Sequence, residues 1–423
     1  MVSAPVAPLR IAIIGSGISG LTAAHRLQQH HQVTIFEAGP AAGGHTHTAD
    51  VTLDGRRYAV DTGFIVFNHR HYPRFTELLA DLGVASQPTV MSFSVRSDRS
   101  GLEYSSASVN ALFAQRRNLV RPQFARLLWD IRRFNHDAAA SGLPDDRTTV
   151  AEYVEQHGYS KAFRDLYLVP MGASLWSSPP RRFLGFSIRF VIEFMRNHAL
   201  LQISGQPTWR VITGGSRTYV DALLARFTGA VVFNRPIRQV QRLADRVLLT
   251  DATGHQAPFD QVILACHADQ ALGMLADPSP VEREVLGAFP YQRNEVLLHT
   301  DTSVLPRSRR AWASWNYHVP ATDRDAVSVT YDMNRLQRLH APHQFNVTLN
   351  GSHLINQDLV LGRFTYHHPA FTPGRDTAQR RHADLIGVNR TSFCGAYWGF
   401  GFHEDGVRSA LAVADALDRR VAA

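Results

Sequence analysis

A chain of 423 residues with 44% hydrophobic and 19% charged residues has a globular composition and room for two or three domains. That balance excludes a mostly disordered, collagen-like or coiled-coil chain, and no window offers the roughly 18 uncharged apolar residues of a membrane-crossing helix. The net charge of +8 is carried by arginine, with Lys161 the single lysine, and no block of like charge marks a nucleic-acid partner.

Residues 1–8 lack the apolar core of a signal peptide, so a cytoplasmic protein is expected. Leu9 to Ile14 is an apolar run of strand length, followed at once by Gly15-Ser16-Gly17-Ile18-Ser19-Gly20. Leu21 to Gln29 then shows helical spacing, and a second strand, Gln32 to Phe36, ends in Glu37. This is the βαβ dinucleotide fingerprint in its required context. Gly15 makes the tight turn, Gly17 lets backbone approach a pyrophosphate, and Gly20 lets helix and strand pack. The helix N-terminus offers N–H donors to phosphate, and Ser19, just before it, is a further cofactor-binding candidate. Glu37 is placed to accept ribose hydroxyls, which disfavours a 2′-phosphate and leaves NAD and FAD open. Ala38 follows, and the pair Gly43-Gly44 with His45 resembles a flavoprotein pattern in which a second loop passes the diphosphate. Arg is usual at the position of His45.

Arg57 to Asn68 reads as strand and turn around Asp61-Thr62-Gly63, and His71 to Leu82 as a helix. Residues 110–200 read as a helical block, clearest over Ala111 to Phe134 and Val150 to Leu168, with a break at Pro179-Pro180. Phe183 to Met195, interrupted by Arg189 and Glu193, is either a core helix or an acyl-chain tunnel or membrane-facing patch flanked by Arg182, Arg189 and Arg196. Gly214-Gly215-Ser216 precedes a helix, Arg217 to Phe227. Ala230 to Phe233, Ile237 to Leu243, Val247 to Asp251 and Gln261 to Cys266 read as short strands. Residues 290–367 are strand-rich, with Trp312, Trp315, Tyr317 and Tyr331. The chain closes with a strand, Ser392 to Cys394, a glycine-rich loop, and a helix from Val407 to Arg419. Cys266 and Cys394 each end an apolar run and read as buried thiols, not a disulfide or metal pair.

Fold class is therefore α/β plus α+β. Segments 1–70, 205–285 and 385–423 are expected to build one discontinuous cofactor domain. Segments 71–204 and 286–384 would form an interleaved substrate domain of antiparallel sheet and helices.

These motifs resemble the FAD-dependent amine oxidoreductase superfamily of amine oxidases, phytoene desaturases and protoporphyrinogen oxidase. The resemblance implies a Rossmann-like FAD-binding domain with FAD as cofactor. It places Thr62 and Gly63 beside the flavin ring, Ile237 near the adenine, and Gly395 after the last strand. Glu404, Asp405, Gly406 and Val407 would turn into a helix whose N–H groups face the flavin pyrimidine. The string Phe393 to Gly406 is similar to a bacterial subgroup labelled only as predicted NAD/FAD-binding, often found beside cyclopropane-fatty-acid-synthase-like methyltransferases. That association implies hydride abstraction from a C–H bond of a lipid acyl chain, with peripheral contact at the inner membrane face. The alternatives are an amine or polyamine oxidase releasing peroxide, and a non-catalytic flavin- or nucleotide-binding protein.

Amine oxidases commonly hold a lysine near the flavin, and Lys161 lacks that context. Trp315, Tyr317, His368, Tyr397 and Trp398 are pocket candidates. Glu404 and Asp405 would either act in acid–base chemistry or favour their helix N-terminus. Histidine pairs such as His367-His368 lack the partners of a zinc site, so no metal is expected. A G-x-S-x-G elbow is absent. The substrate is expected to be a small molecule or lipid.

Overall fold

The computed structural model describes residues 8–140, 142–202, 205–322, 328–372 and 374–422. The reading of residues 1–7 as lacking a leader lies outside them. A five-stranded parallel sheet runs Thr391–Phe393, Gln261–Leu264, Arg10–Ile14, Gln32–Phe36, Ala230–Val232. Its first strand sits in the middle because Ile11 to Ile14 are buried on both faces, as a parallel strand between helices requires. The helix that follows spans Ile18–Leu27, starting three residues before the expected Leu21 because Gly17 already serves as its N-cap. Gly20 is forced here: a Cβ would lie 2.0 Å from the carbonyl oxygen of Gly15. The last helix, His403–Ala422, packs against this one, and Gly406 faces Ser19 and Ile18 at their contact. A three-stranded antiparallel sheet, Ile237–Arg242, Val247–Asp251 and Gln256–Phe259, flanks the parallel sheet.

The second large sheet has seven strands in the order Val360–Pro369, Tyr291–His299, Asn346–Leu349, Ser328–Asp332, Trp315–Val319, Phe93–Ser97, Glu103–Ser105. It is antiparallel except where Phe93–Ser97 pairs parallel with Trp315–Val319. One face packs on the helical block, joined through Phe93, Val95, Tyr317 and Val329.

Several helical expectations change in detail. Ala111 to Phe134 is not one helix: a short helix Val109–Leu112 and a 3-10 turn Arg116–Val120 precede the helix Pro122–Ala140, since Pro122 can only begin a helix. Val150 to Leu168 breaks at Gly158, whose φ of +61° is left-handed, into Val150–Gln156 and a second segment from Lys161 that continues to Trp176. The last helix begins at His403 rather than Val407, so Glu404, Asp405 and Gly406 lie in its first turn. Trp312 lies in the loop before a strand rather than in one.

The run Phe183 to Met195 divides into Pro180–Leu184 and Ile188–Asn197. Phe183, Phe190, Val191, Ile192, Phe194 and Met195 are all buried, which removes the membrane-facing reading of this run. The aromatic rings are satisfied by one another and by Trp176 and Phe371, so no apolar face is left for a bilayer.

Candidate active site

The carboxyl ends of the parallel strands meet the two glycine loops. The Gly15 N–H donates to the Phe36 carbonyl at 2.9 Å and the Gly43 N–H to the Ser16 carbonyl at 2.9 Å, so the loops lock against each other. Gly44 backs onto Gly17, where its Cβ would stand 3.1 Å from the Gly17 Cα. A Cβ on Gly17 itself would meet nothing within 4 Å. The fingerprint helix therefore opens its N-terminus onto free space, walled by backbone, of the kind a diphosphate fills.

Glu37 is held at the end of its strand. The Gly39 N–H donates to Oε1 at 2.8 Å, and the Ser16 N–H donates to Oε2 at 3.0 Å, with the Ser16 hydroxyl on the same oxygen. Each oxygen keeps lone-pair capacity for a ribose hydroxyl. Ala38 lies between Glu37 and Gly39 in the same turn, and Ile237 opens the adjacent three-stranded sheet, buried.

Beside Gly44 a cluster of rings converges that the sequence does not bring together. His45 lies 5.5 Å from His368, 5.9 Å from His267 and 5.3 Å from Tyr366, centroid to centroid. His267 lies three residues past the strand Gln261–Leu264, at the N-cap of the helix Ala268–Met274, and stacks on Tyr291 at 4.2 Å. His368 Nδ1 bonds the Ser177 hydroxyl at 2.8 Å. Burial lowers His45 to about 4 and His267 and His368 to about 3, and the neighbouring imidazoles push in the same direction. The Nε2 of His45 is buried without a partner. These groups suit a bound phosphate, which would supply both the missing acceptor and the negative charge. The signal for His267 was its place in the loop that follows a parallel strand, Gln261–Leu264.

Asp61 points away from this space. Its Oδ1 accepts from the Thr48 hydroxyl at 2.6 Å and from the Ser216 N–H and hydroxyl, both at 2.8 Å, while Gln337 donates to Oδ2 at 3.1 Å. The carboxylate thus ties the Gly214-Gly215-Ser216 turn to the Thr48 hairpin, and burial raises it to about 6. Thr62 bonds His47 Nδ1 at 2.8 Å and the Tyr366 hydroxyl at 2.7 Å. Gly63 is required by its neighbour, since a Cβ would sit 2.0 Å from the His45 carbonyl oxygen.

At the start of the last helix, His403 stacks on Phe64 at 3.5 Å and bonds Thr46 at 3.0 Å and Tyr219 at 3.1 Å. Burial lowers it to about 3. Glu404 faces another element: its carboxylate accepts from the Arg74 N–H at 3.2 Å and the Phe75 N–H at 3.0 Å, capping the helix Pro73–Leu82. Asp405 accepts from the Phe402 N–H at 3.0 Å, and burial raises it to about 6. Gly406 and Val407 are buried in the first turn, and the Gly395 N–H donates to Ser409 at 2.9 Å. Tyr397 and Trp398 turn into the core beside Phe289, with Trp398 stacked on His382, and so stand apart from Trp315 and Tyr317. Trp315 packs on Tyr331 at 5.1 Å, and both touch the aromatic cluster that holds Tyr317.

That cluster is the largest apolar assembly in the molecule. Trp176, Phe186, Phe190, Phe194 and Phe371 meet Phe400 and Phe402, which lead into the last helix. Lys161 is exposed on the helical block, so no lysine reaches the site. Among the described residues no cluster of metal-ligating side chains forms.

The family model for flavin containing amine oxidoreductase matches residues 18–309, more than half of the chain. An L-amino-acid oxidase of Siganus canaliculatus is 23% identical over 69% of this chain and 57% of its own length. The chain therefore spans little more than half of that curated relative. Cyclohexylamine oxidase from Brevibacterium oxydans has a similar structure, with a TM-score of 0.68 at 16% identity over 97% of this chain and 100% of that one. A CLA-producing fatty acid isomerase from P. acnes has a TM-score of 0.65 at 17% identity over 97% of this chain and 98% of that one. The glycine cradle, the placed Glu37 and the unpartnered His45 fit FAD, the cofactor of this fold. Together with the match over residues 18–309, they establish that the chain belongs to the flavin-containing amine oxidoreductase family.

Proposed function

We propose that this chain is an FAD-dependent oxidoreductase that removes a hydride from a C–H bond of an apolar substrate, and that the substrate is a fatty acyl chain. When bound, FAD supplies the two-electron acceptor. Gly15, Gly17, Ser19 and Gly20 would hold its diphosphate at the fingerprint helix, with Gly43, Gly44 and His45 closing the second side. Glu37 and Ala38 would meet the ribose, Ile237 the adenine, and Thr62, Gly63, Gly395 and the backbone N–H groups of the turn from Glu404 to Val407 the flavin end.

The observation that carries the substrate class is the aromatic cluster of Trp176, Phe186, Phe190, Phe194, Phe371, Phe400 and Phe402. These packed rings are apolar, with the Arg375 guanidinium over Phe371 and Asp405 on the Phe402 N–H at their edge, and they support a hydrocarbon substrate together with the likeness to the CLA-producing fatty acid isomerase. Trp315 and Tyr317 border the same cluster. The amine reading draws on the L-amino-acid oxidase relative, and the exposed position of Lys161 weighs against it.

Anaerobic titration of the FAD-loaded protein distinguishes the readings. Loss of the flavin's visible absorbance on adding fatty acid or phospholipid, with none from polyamines or aryl amines, is expected. Bleaching by amines alone would replace the acyl reading with amine oxidation. Failure of every substrate to bleach a fully loaded protein would favour a non-catalytic flavoprotein.

A further inference from the structure

The segment between Val109 and His136 exposes large apolar side chains that none of the described residues covers. Val109 is 75% exposed, Leu119 62%, Val120 83% and Trp129 60%. Isolated exposed apolar residues are ordinary, but these lie along one short stretch of surface. Leu119 and Val120 end the 3-10 turn that runs into Pro122, and the helix Pro122–Ala140 starts there. On that helix Pro122, Ala125, Trp129 and Arg132 recur at three- and four-residue steps and are exposed. The opposite side, with Phe124, Leu127, Phe134 and Ala138, is buried in the aromatic cluster.

Arginine surrounds this apolar stripe. Arg116 donates to Asn110 Oδ1 at 2.6 Å, Arg117 to the Gly101 carbonyl at 2.8 Å, and Arg121 to Asn118 Oδ1 at 3.3 Å. All three acceptors are neutral, so those charges are uncompensated. Arg132 is exposed and has no acceptor among the described residues. The one acid between residues 109 and 136, Asp130, is buried and engaged by Arg126 at 3.1 Å, and the half-exposed Asp137 at the end of the stretch lies 3.2 Å from His136.

From this geometry we infer that residues 109–136 form a docking surface for an anionic lipid bilayer. Trp129, Val120, Leu119 and Val109 enter the interface, and Arg116, Arg117, Arg121 and Arg132 meet the phosphate headgroups. A tryptophan flanked by aliphatic and arginine side chains is the composition that an interface favours: apolar body inward, charged fork at headgroup level. The helix is too amphipathic to insert, and no described helix is long and apolar enough to cross a membrane. Because its buried face packs on the aromatic cluster, docking would bring that cluster over the bilayer. Only this last link rests on the acyl-substrate reading.

The test is co-sedimentation of the FAD-loaded full chain with vesicles of phosphatidylcholine alone or mixed with phosphatidylglycerol. Binding to the mixed vesicles that weakens with salt is expected. The double variant Val120→Asp/Trp129→Ser should lose about ten-fold or more in affinity while keeping its flavin spectrum, since neither side chain is part of the core. Each of Arg116→Ser, Arg117→Ser and Arg132→Ser should weaken binding about five-fold. No binding of the unaltered protein to anionic vesicles overturns the inference, as does binding unchanged in the double variant. A dimer in sedimentation velocity that the double variant disrupts, without vesicle binding, would assign the patch to a second copy. Vesicle binding without acyl-dependent bleaching would leave the docking surface standing and remove the substrate reading.

Discussion

Acid should unfold this protein from within, because His198, His299 and His403 are buried neutral in addition to the three histidines beside Gly44. His299 shows why. Its Nδ1 accepts the Asp301 N–H at 3.1 Å and its Nε2–H donates to the Thr348 hydroxyl at 2.7 Å, so a second ring proton would have to displace a backbone donor. His198 donates from Nδ1 to the Phe194 carbonyl at 3.0 Å under the ring of Phe194. His403 is sealed by Phe64, Thr46 and Tyr219. Burial lowers His198 and His299 from 6.5 to about 4 and His403 to about 3. The unfolded chain takes up these protons below its own value of 6.5 while the folded chain does not, so stability is full above that value and falls with pH. Each pH unit between 6.5 and the folded value costs about 1.4 kcal/mol per histidine. At about pH 5 the three together remove roughly 6 kcal/mol. Asp61 and Asp405, both raised to about 6, act oppositely, since folding favours their protonated form. They return roughly 3 kcal/mol, less than these three histidines remove, and His45, His267 and His368, lowered to about 4, 3 and 3, add to the loss. Urea unfolding followed by far-UV circular dichroism at pH 7, 6 and 5 measures it. His299→Gln should lower stability at pH 7 yet narrow its gap to the unaltered protein at pH 5. An unfolding free energy that stays level from pH 7 to 5 would refute the burial argument.

Gly17→Val should fold normally, because its side chain meets open space, and should purify without FAD. Full flavin content in that variant, read from its absorbance ratio, would move the diphosphate elsewhere. Gly172→Ala should destabilise by about 1–3 kcal/mol, since the new Cβ would overlap the Phe183 ring, placed 2.1 Å away. A melting temperature equal to the parent's would contradict this. Glu404→Ala should cost about 1 kcal/mol through loss of the cap on Pro73–Leu82 and leave flavin loading intact. If it instead loses flavin with stability unchanged, Glu404 belongs to the cofactor site rather than to the scaffold.

The fingerprint from Arg10 to Glu37 was legible without a structure because every contact that defines it is local. A strand, a turn that only glycine can make, a helix N-terminus and a strand-end carboxylate all fall within one short stretch, and spacing alone places them. The same holds for Gly43-Gly44, whereas the reading of Ala111 to Phe134 as one helical piece passed over Pro122, whose ring lets it only begin a helix. What the periodicity of residues could not decide is which amphipathic helix is covered. Ile188–Asn197 and Pro122–Ala140 both carry apolar and arginine side chains. Only packing shows that Phe190 and Phe194 close on Trp176 and Phe371, while Trp129 is left outside. Tertiary structure likewise decided the roles of side chains far apart in the chain. Asp61 joins Thr48, Ser216 and Gln337 instead of entering the site, Glu404 caps a helix more than 300 residues earlier, and His45, His267 and His368 meet beside Gly44. The physical reason is that a backbone conformation is dictated by neighbours in sequence. The partner of a buried charge or imidazole is whatever the folded core brings within hydrogen-bond reach.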